Sequence, residues 1–176
     1  METAIFGGGC FWCTEAVFKS LKGVVSVMPG YAGGKIHNPN YMEVSMGETG
    51  HAEVVKIVFD PGVIAYDDLL EVFWNVHNPT SLNRQGADVG TQYRSVIFYS
   101  SPEQKEKAEK SMEGLEKSGR FEEPIVTEIR KLDKFYDAEQ YHRNYYQNHK
   151  DEPYCELVIN PKLEKLKKKF SKFIEE

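Results

Sequence analysis

The spacing of apolar residues along the chain switches repeatedly between alternation and helical periodicity, and each switch marks a new element. Ala4, Ile5 and Phe6 make residues 2–7 a short strand that runs into Gly7-Gly8-Gly9, and Val17, Phe18 and Leu21 follow at helical spacing. Val24 to Tyr31 reads as a second strand, and the Gly-, Pro- and Asn-rich stretch from Gly33 to about Asn40 as a surface loop. Ala52 to Phe59 alternates as a third strand, closed by the turn Asp60-Pro61-Gly62. Leu69, Leu70, Phe73, Trp74 and His77 recur as one helical face, with Asp67 and Asp68 suiting the positive end of the helix. Gln92 to Tyr99 is a further strand, and Ser101-Pro102-Glu103 opens a charged helix that ends near Gly119. Ile125 to Lys131 reads as a strand and Glu139 to Asn148 as a short aromatic helix. Asn160-Pro161 is expected to cap a last helix with the stripe Leu163, Leu166, Phe170, Phe173 and Ile174.

Strand, helix, strand occurs twice within residues 2–99, the split βαβ pattern. The expected fold is α+β, a two-layer sandwich with a mixed sheet and a ferredoxin-like core, wrapped by the carboxy-terminal strand and helices. No repeat or long linker interrupts residues 1–176, which predicts one domain. Hydrophobic residues at 40% and charged residues at 28% describe a globular chain. The net charge of -5 gives no bulk reason to bind nucleic acid or an anionic membrane. Lysines 165, 167, 168, 169 and 172 lie mostly opposite the last apolar stripe and read as a solvated face. Met1 to Phe6 lacks a basic, apolar leader, and no window approaches the roughly 20 apolar residues of a membrane span, so a cytoplasmic monomer is expected. An odd count of three cysteines suits a reducing compartment.

Cys10 follows three glycines and opens a helix, where backbone N–H groups are unpaired and the helix dipole favours an anion. The position predicts an accessible, stabilised thiolate with room for a reactant; a buried packing cysteine is the competing reading. Cys13 lies one helical turn on, which permits a redox disulfide with Cys10. Zinc would need four ligands in paired spacings, and Cys155 has no partner of that kind, so no metal and no organic cofactor are expected.

Gly9-Cys10-Phe11-Trp12 resembles the signature of peptide methionine sulfoxide reductases of the A type. The likeness continues in order through Gly30-Tyr31-Ala32-Gly33-Gly34, Asn38-Pro39-Asn40-Tyr41, Gly47 with Thr49-Gly50-His51-Ala52-Glu53, and Asp60-Pro61. It goes on through Phe73-Trp74, His77-Asn78-Pro79, Arg84-Gln85-Gly86, Asp88 and Gly90-Thr91-Gln92-Tyr93-Arg94-Ser95, and covers roughly residues 4–155. The resemblance implies that Cys10 attacks the sulfur of an S-epimer methionine sulfoxide, in oxidised proteins or free, and becomes a sulfenic acid. A second thiol then forms a disulfide that thioredoxin reduces. By matched position Phe11 and Trp12 hold the S-methyl group, Glu53 is the acid, and Tyr41, Asp88 and Tyr93 surround the sulfoxide oxygen.

The residues themselves agree with several of these roles. Glu53 shares its strand face with Val55, Ile57 and Phe59, so burial should raise its pKa and keep it a proton donor near neutrality. Tyr41 and Tyr93 carry hydroxyls that donate to a negative oxygen, and Phe11 with Trp12 offers an apolar, water-poor pocket. Asp88 would alternatively start a turn between Gly86 and Gly90, and His51 and His77 are read as structural. Many members of the family have glycine in place of Cys13 and two resolving cysteines in a glycine-rich tail, whereas this tail has Cys155 alone. Cys13 is the favoured resolving thiol, with Cys155 and a relay through both as alternatives. Two rival functions share these residues: a disulfide oxidoreductase using Cys10-Phe11-Trp12-Cys13, and a non-catalytic module that binds oxidised methionine or a metal through the same loop.

Overall fold

The computed structural model describes residues 1–174. Its main elements are β1 (Glu2–Gly7), α1 (Phe11–Lys19), β2 (Val24–Ala32), α2 (Tyr41–Ser45), β3 (Ala52–Phe59) and α3 (Tyr66–Val76). A two-residue hairpin, β4 (Arg84–Gln85) and β5 (Asp88–Val89), precedes β6 (Val96–Tyr99), α4 (Pro102–Lys117), β7 (Glu128–Lys131) and β8 (Phe135–Asp137). A single turn, α5 (Tyr145–Asn148), and the last helix, α6 (Asn160–Lys169), complete the chain.

Six strands form one sheet in the order β7-β6-β1-β3-β2-β8. The central four, β6-β1-β3-β2, pair antiparallel in the ferredoxin-like order, and β7 joins β6 in parallel to make the sheet mixed. Side-chain alternation divides the two faces. Phe6, Tyr31, Val55, Ile57, Phe59 and Ile97 meet the helices through Phe18, Leu70, Phe73, Trp74, Leu115 and Leu166 in the main core. Ile5, Ala32, Ala52, Val54, Val96 and Phe98 form a smaller cluster on the opposite face, with Leu132 and Phe135 packed on it.

The helix starts follow from their sequences. Asn40 and Glu43 cap α2 reciprocally, each side chain accepting from the other's backbone N–H. Asp68 accepts from the Ala65 N–H at the start of α3, and Ser101 accepts from the Gln104 N–H at the start of α4. Gly119 ends the α4 region with φ +69, as its glycine permits.

Four expectations need correction. The strand expected over 92–99 is only β6, because Thr91–Tyr93 form a 3-10 turn. The buried guanidinium of Arg94 holds that turn, donating to the Thr91 and Gly50 carbonyls and to Glu128. The strand expected over 125–131 is paired only as β7. No helix runs from 139 to 148: Asn144 is left-handed (φ 54), and its N–H donates to the Glu15 carboxylate at 3.0 Å. Nor does Asn160 cap α6, because the chain is already helical from Pro153, through a π turn over Cys155–Ile159, and the Asn160 side chain accepts from the Tyr146 hydroxyl.

Candidate active site

The loop that carries Cys10 is set by close packing behind it. A Cβ at Gly7 would lie 2.9 Å from the Glu53 carbonyl oxygen, and Gly9 has φ +99. Cys10 is the residue before α1, with extended backbone and no capping hydrogen bond from its own side chain. Its carbonyl accepts from the Cys13 N–H at 3.1 Å and the Thr14 hydroxyl at 3.3 Å. The first free N–H of the helix, that of Phe11, donates instead to Glu53 Oε1 at 3.2 Å.

Glu53 is 1% exposed on the helix-covered face of the sheet, as strand parity predicts. Its Oε2 is buried with no hydrogen-bond partner. Burial pushes the carboxyl up to about 8, partly opposed by the Phe11 N–H and reinforced by the charge of Asp88. Glu53 therefore holds its proton at neutrality and presents an oxygen that no other group among the described residues uses.

Cys10 departs from the expected exposed thiolate, because the side chain is buried. Burial first, then the nearby charges of Glu53 and Cys13, push the thiol well above its ordinary pKa, outweighing the Trp12 N–H and the Tyr154 hydroxyl. The helix N-terminus is present, but its Phe11 N–H serves Glu53. Resting Cys10 is thus a neutral thiol beside a neutral carboxylic acid.

Aromatic rings wall this pair. Phe11 is fully buried with ring centroids 5.7 Å from Tyr31, 6.4 Å from Tyr41 and 4.9 Å from His142. Trp12 stacks on Tyr145 at 3.7 Å and donates from Nε1 to His142 Nδ1 at 2.9 Å. Glu139 ties the wall together, accepting from the Tyr31 hydroxyl and the Tyr41 N–H, both at 2.8 Å. Tyr41 is pushed up to about 12 by burial and then Glu53; the same two causes raise Tyr93, so both hydroxyls stay protonated donors.

Tyr154 bridges to the remaining predicted residues. Its hydroxyl donates to Asp88 Oδ2 at 2.9 Å and lies 3.5 Å from Cys13 Sγ. Cys13 packs in turn with fully buried Cys155 and Ile159 in a small apolar cluster. Burial raises both thiols, and all three cysteines are free. Every residue predicted from the sequence is therefore gathered around the first turn of α1.

Sequence reasoning missed Tyr31 as a site residue, and with it Glu139, His142, Tyr145 and Tyr154. Tyr31 stood in the motif Gly30-Tyr31-Ala32 and Tyr154 directly precedes Cys155; the other three had no local signal. His51 and His77 are structural, as expected. His51 accepts from the Gly34 N–H and bonds the Ile36 carbonyl, whereas His77 bonds the Phe73 carbonyl and Ser95 Oγ. Burial keeps the His77 imidazole neutral, with a pKa lowered to about 3.

The family model described as "Peptide methionine sulfoxide reductase" matches residues 2–174. The chain belongs to the peptide methionine sulfoxide reductase family. It is accordingly an oxidoreductase that reduces methionine sulfoxide. A peptide methionine sulfoxide reductase of Sulfolobus acidocaldarius is 58% identical over 97% of this chain and 96% of its own, and one of Saccharolobus solfataricus is 54% identical over 97% and 95%. Among solved structures, reduced Mxr1 of Saccharomyces cerevisiae superposes with TM-score 0.82 at 32% identity, covering 88% of each chain. Methionine sulfoxide reductase A of Corynebacterium diphtheriae superposes with TM-score 0.76 at 37% identity, covering 85% of this chain and 75% of its own. The α+β fold is thus that of the peptide methionine sulfoxide reductases.

Proposed function

We propose that the chain, acting as one domain, reduces the S epimer of methionine sulfoxide with Cys10 as nucleophile and Glu53 as proton shuttle. The carrying observation is the buried, protonated Glu53 with a free Oε2 beside a neutral Cys10. The S-methyl group packs on Phe11 and Trp12, and the sulfoxide oxygen accepts from Tyr41, Tyr93 and Glu53, with Asp88 nearby. Glu53 gives its proton to the oxygen, which makes the sulfoxide sulfur electrophilic. The carboxylate so formed takes the Cys10 thiol proton as Cys10 Sγ bonds to that sulfur. Cleavage of the new sulfur–sulfur bond with transfer of the hydroxyl leaves methionine and a Cys10 sulfenic acid, so the net change is one oxygen atom moved from substrate to Cys10, with Glu53 protonated again.

Cys13 is the favoured resolving thiol. It sits one turn from Cys10 and loses its proton as Cys10 releases hydroxide as water, giving a Cys10–Cys13 disulfide. The packing of Cys155 with Cys13 in one apolar cluster supports the alternative in which exchange moves the disulfide to Cys13–Cys155. A dithiol reductant of the thioredoxin type restores the thiols by taking the disulfide for itself. Mxr1 of Saccharomyces cerevisiae has been solved in complex with Trx2. No helix among the described residues is long and apolar enough to cross a membrane.

One experiment tests the reading. The reduced protein is mixed with one equivalent of S-epimer acetyl-methionine sulfoxide without reductant, and its disulfides are mapped by mass spectrometry. One equivalent of methionine with a disulfide that includes Cys13 is expected. Release of no methionine, together with reduction of disulfide-bonded protein substrates by the reduced protein, would replace the proposal by the disulfide oxidoreductase reading. A Cys10–Cys155 disulfide with Cys13 free would move the resolving role.

A further inference from the structure

The last helix, α6, carries five lysines, and one of them differs from the rest. Lys165, Lys167, Lys168 and Lys169 are exposed, whereas Lys162 is half-buried. Leu163, the next residue, packs on the apolar cluster of Cys13, Cys155 and Ile159, which sets this end of α6 against α1. The aliphatic stem of a lysine tolerates such a place while its ammonium keeps a polar side.

Lys162 and Cys13 line one small cavity, together with Gly8 of the Cys10 loop, Thr14, Phe73 and His77. Its volume is about 10 Å³, the room of a single water at most. Burial keeps His77 neutral, so the ammonium is the one charge on the cavity wall among the described residues. A charge that little water screens acts more strongly than one on an open surface. The other groups around Cys13 are neutral or negative. Tyr154 stands before Asp88, and Cys155, Tyr145 and Tyr146 belong to the apolar cluster. Glu53 and Cys10 are near enough to act through charge. Burial pushes the Cys13 thiol up; Lys162 opposes it most, then the Tyr154 hydroxyl, while Asp88 and Glu53 add to the rise.

We propose that Lys162 is a positioning residue of the resolving step, its ammonium favouring the thiolate of Cys13 as that sulfur attacks the Cys10 sulfenic acid. The proposal rests on the reading of Cys13 as the resolving thiol and deepens it. The step balances within the chain: the Cys13 thiol gives up its proton, its sulfur bonds to Cys10 Sγ, and the hydroxyl leaves with that proton as water. A thiolate beside an apolar cluster is costly without an opposite charge, and Lys162 supplies one. The groups that chiefly move Cys10 are Glu53, Cys13, Trp12 and Tyr154, so Lys162 bears on the second step and not on the first.

The test compares the full chain with Lys162→Met, which keeps the stem and removes the charge, and Lys162→Arg, which keeps both. The pH dependence of Cys13 alkylation by iodoacetamide, resolved by peptide mass, reads the thiol without substrate. A single turnover with S-epimer acetyl-methionine sulfoxide and no added reductant, quenched in acid, then separates methionine release from disulfide formation. In Lys162→Met, Cys13 alkylation should need higher pH, and disulfide formation at neutral pH should slow by roughly three- to tenfold, with methionine release changed by less than about twofold. Lys162→Arg should restore the wild-type pH profile. Lost packing alone would slow disulfide formation without moving that profile. An unmoved Cys13 profile in Lys162→Met, an arginine variant that behaves as the methionine variant does, or an equal slowing of methionine release would overturn the proposal. The resolving reading is judged separately on the wild-type protein: a Cys10–Cys155 disulfide with Cys13 free would overturn that reading and the role of Lys162 with it.

Discussion

Cys10 and Cys13 stand on the same first turn of α1, yet Cys10 faces a carboxylic acid that has a free oxygen, whereas Cys13 faces a tyrosine hydroxyl and an apolar cluster that holds Cys155. Burial raises both thiols, so neither is a stored thiolate. The difference lies in what can remove the proton. In the proposed mechanism the base beside Cys10 is Glu53 once it has protonated the substrate, whereas at Cys13 the Tyr154 hydroxyl stands between the sulfur and Asp88. On the proposed mechanism, activation of Cys10 is tied to the arrival of a sulfoxide, which protects a buried thiol from chemistry without substrate.

The largest effect that this contrast predicts is at Cys10 itself. Cys10→Ser should bring turnover to background while Cys13→Ser still releases about one equivalent of methionine in a single turnover. A Cys10→Ser protein with near-normal methionine release would break the comparison, since it would give the attack to another sulfur.

Glu53→Gln comes next. Glutamine preserves shape and a donor but cannot give up a proton, so kcat should fall by on the order of 10²–10⁴. In the wild-type protein the rate should fall as pH rises through about 8, where Glu53 loses its proton, and the variant should lack that limb. The stability sign follows from the same value. Between the ordinary carboxyl range and about 8 the folded state holds a proton that the unfolded chain has released, so stability falls as pH rises across that window. Thermal denaturation of the variant should show a weaker pH dependence there.

Glu53 was legible in the sequence because its reason is local: strand parity places it with Val55, Ile57 and Phe59 whatever the rest of the chain does. The βαββαβ order was legible for the same reason, since each unit carries its own periodicity and turn. The aromatic wall was not. Glu139 finds its partners at Tyr31 and Tyr41, and His142 at Trp12, all far away along the chain. Those distant bonds, with left-handed Asn144, outweigh the helical spacing of residues 139–148. The surroundings of Cys10 were misjudged likewise, because a helix N-terminus signals its unpaired N–H groups but not that Glu53 takes the Phe11 N–H.

The Cys13 side yields a smaller, more selective effect. Cys13→Ser should lower thioredoxin-linked turnover by roughly tenfold or more, leaving the first methionine-releasing step intact, because only the return of the sulfenic acid depends on it. Cys155→Ala should lower the same turnover less, and leave a Cys10–Cys13 disulfide in single-turnover mapping. If Cys155→Ala costs as much as Cys13→Ser, the disulfide must pass to Cys155 before reductant can reach it, and the two thiols act in series.

Tyr154→Phe sharpens the comparison with the smallest change, since it removes one oxygen that lies between Cys13 and Asp88. The ring contact with Trp12, edge-on at 5.8 Å, survives in phenylalanine. What is lost is the hydrogen bond to Asp88, about 1–3 kcal/mol where the acceptor is a charged group left without a partner. Folding stability should fall by part of that amount, because Asp88 is half-buried and regains some water. The kinetic consequence depends on which thiol the hydroxyl serves. A bond that chiefly orders Cys13 predicts slower disulfide formation after a normal burst of methionine, followed by stopped-flow acid quench. A bond that chiefly supports Cys10, whose pKa the Tyr154 hydroxyl also lowers, predicts a smaller burst rate constant instead. Cys13 lies at 3.5 Å and shares the hydroxyl with Asp88, so the first outcome is expected, with the burst rate constant changed by less than about twofold.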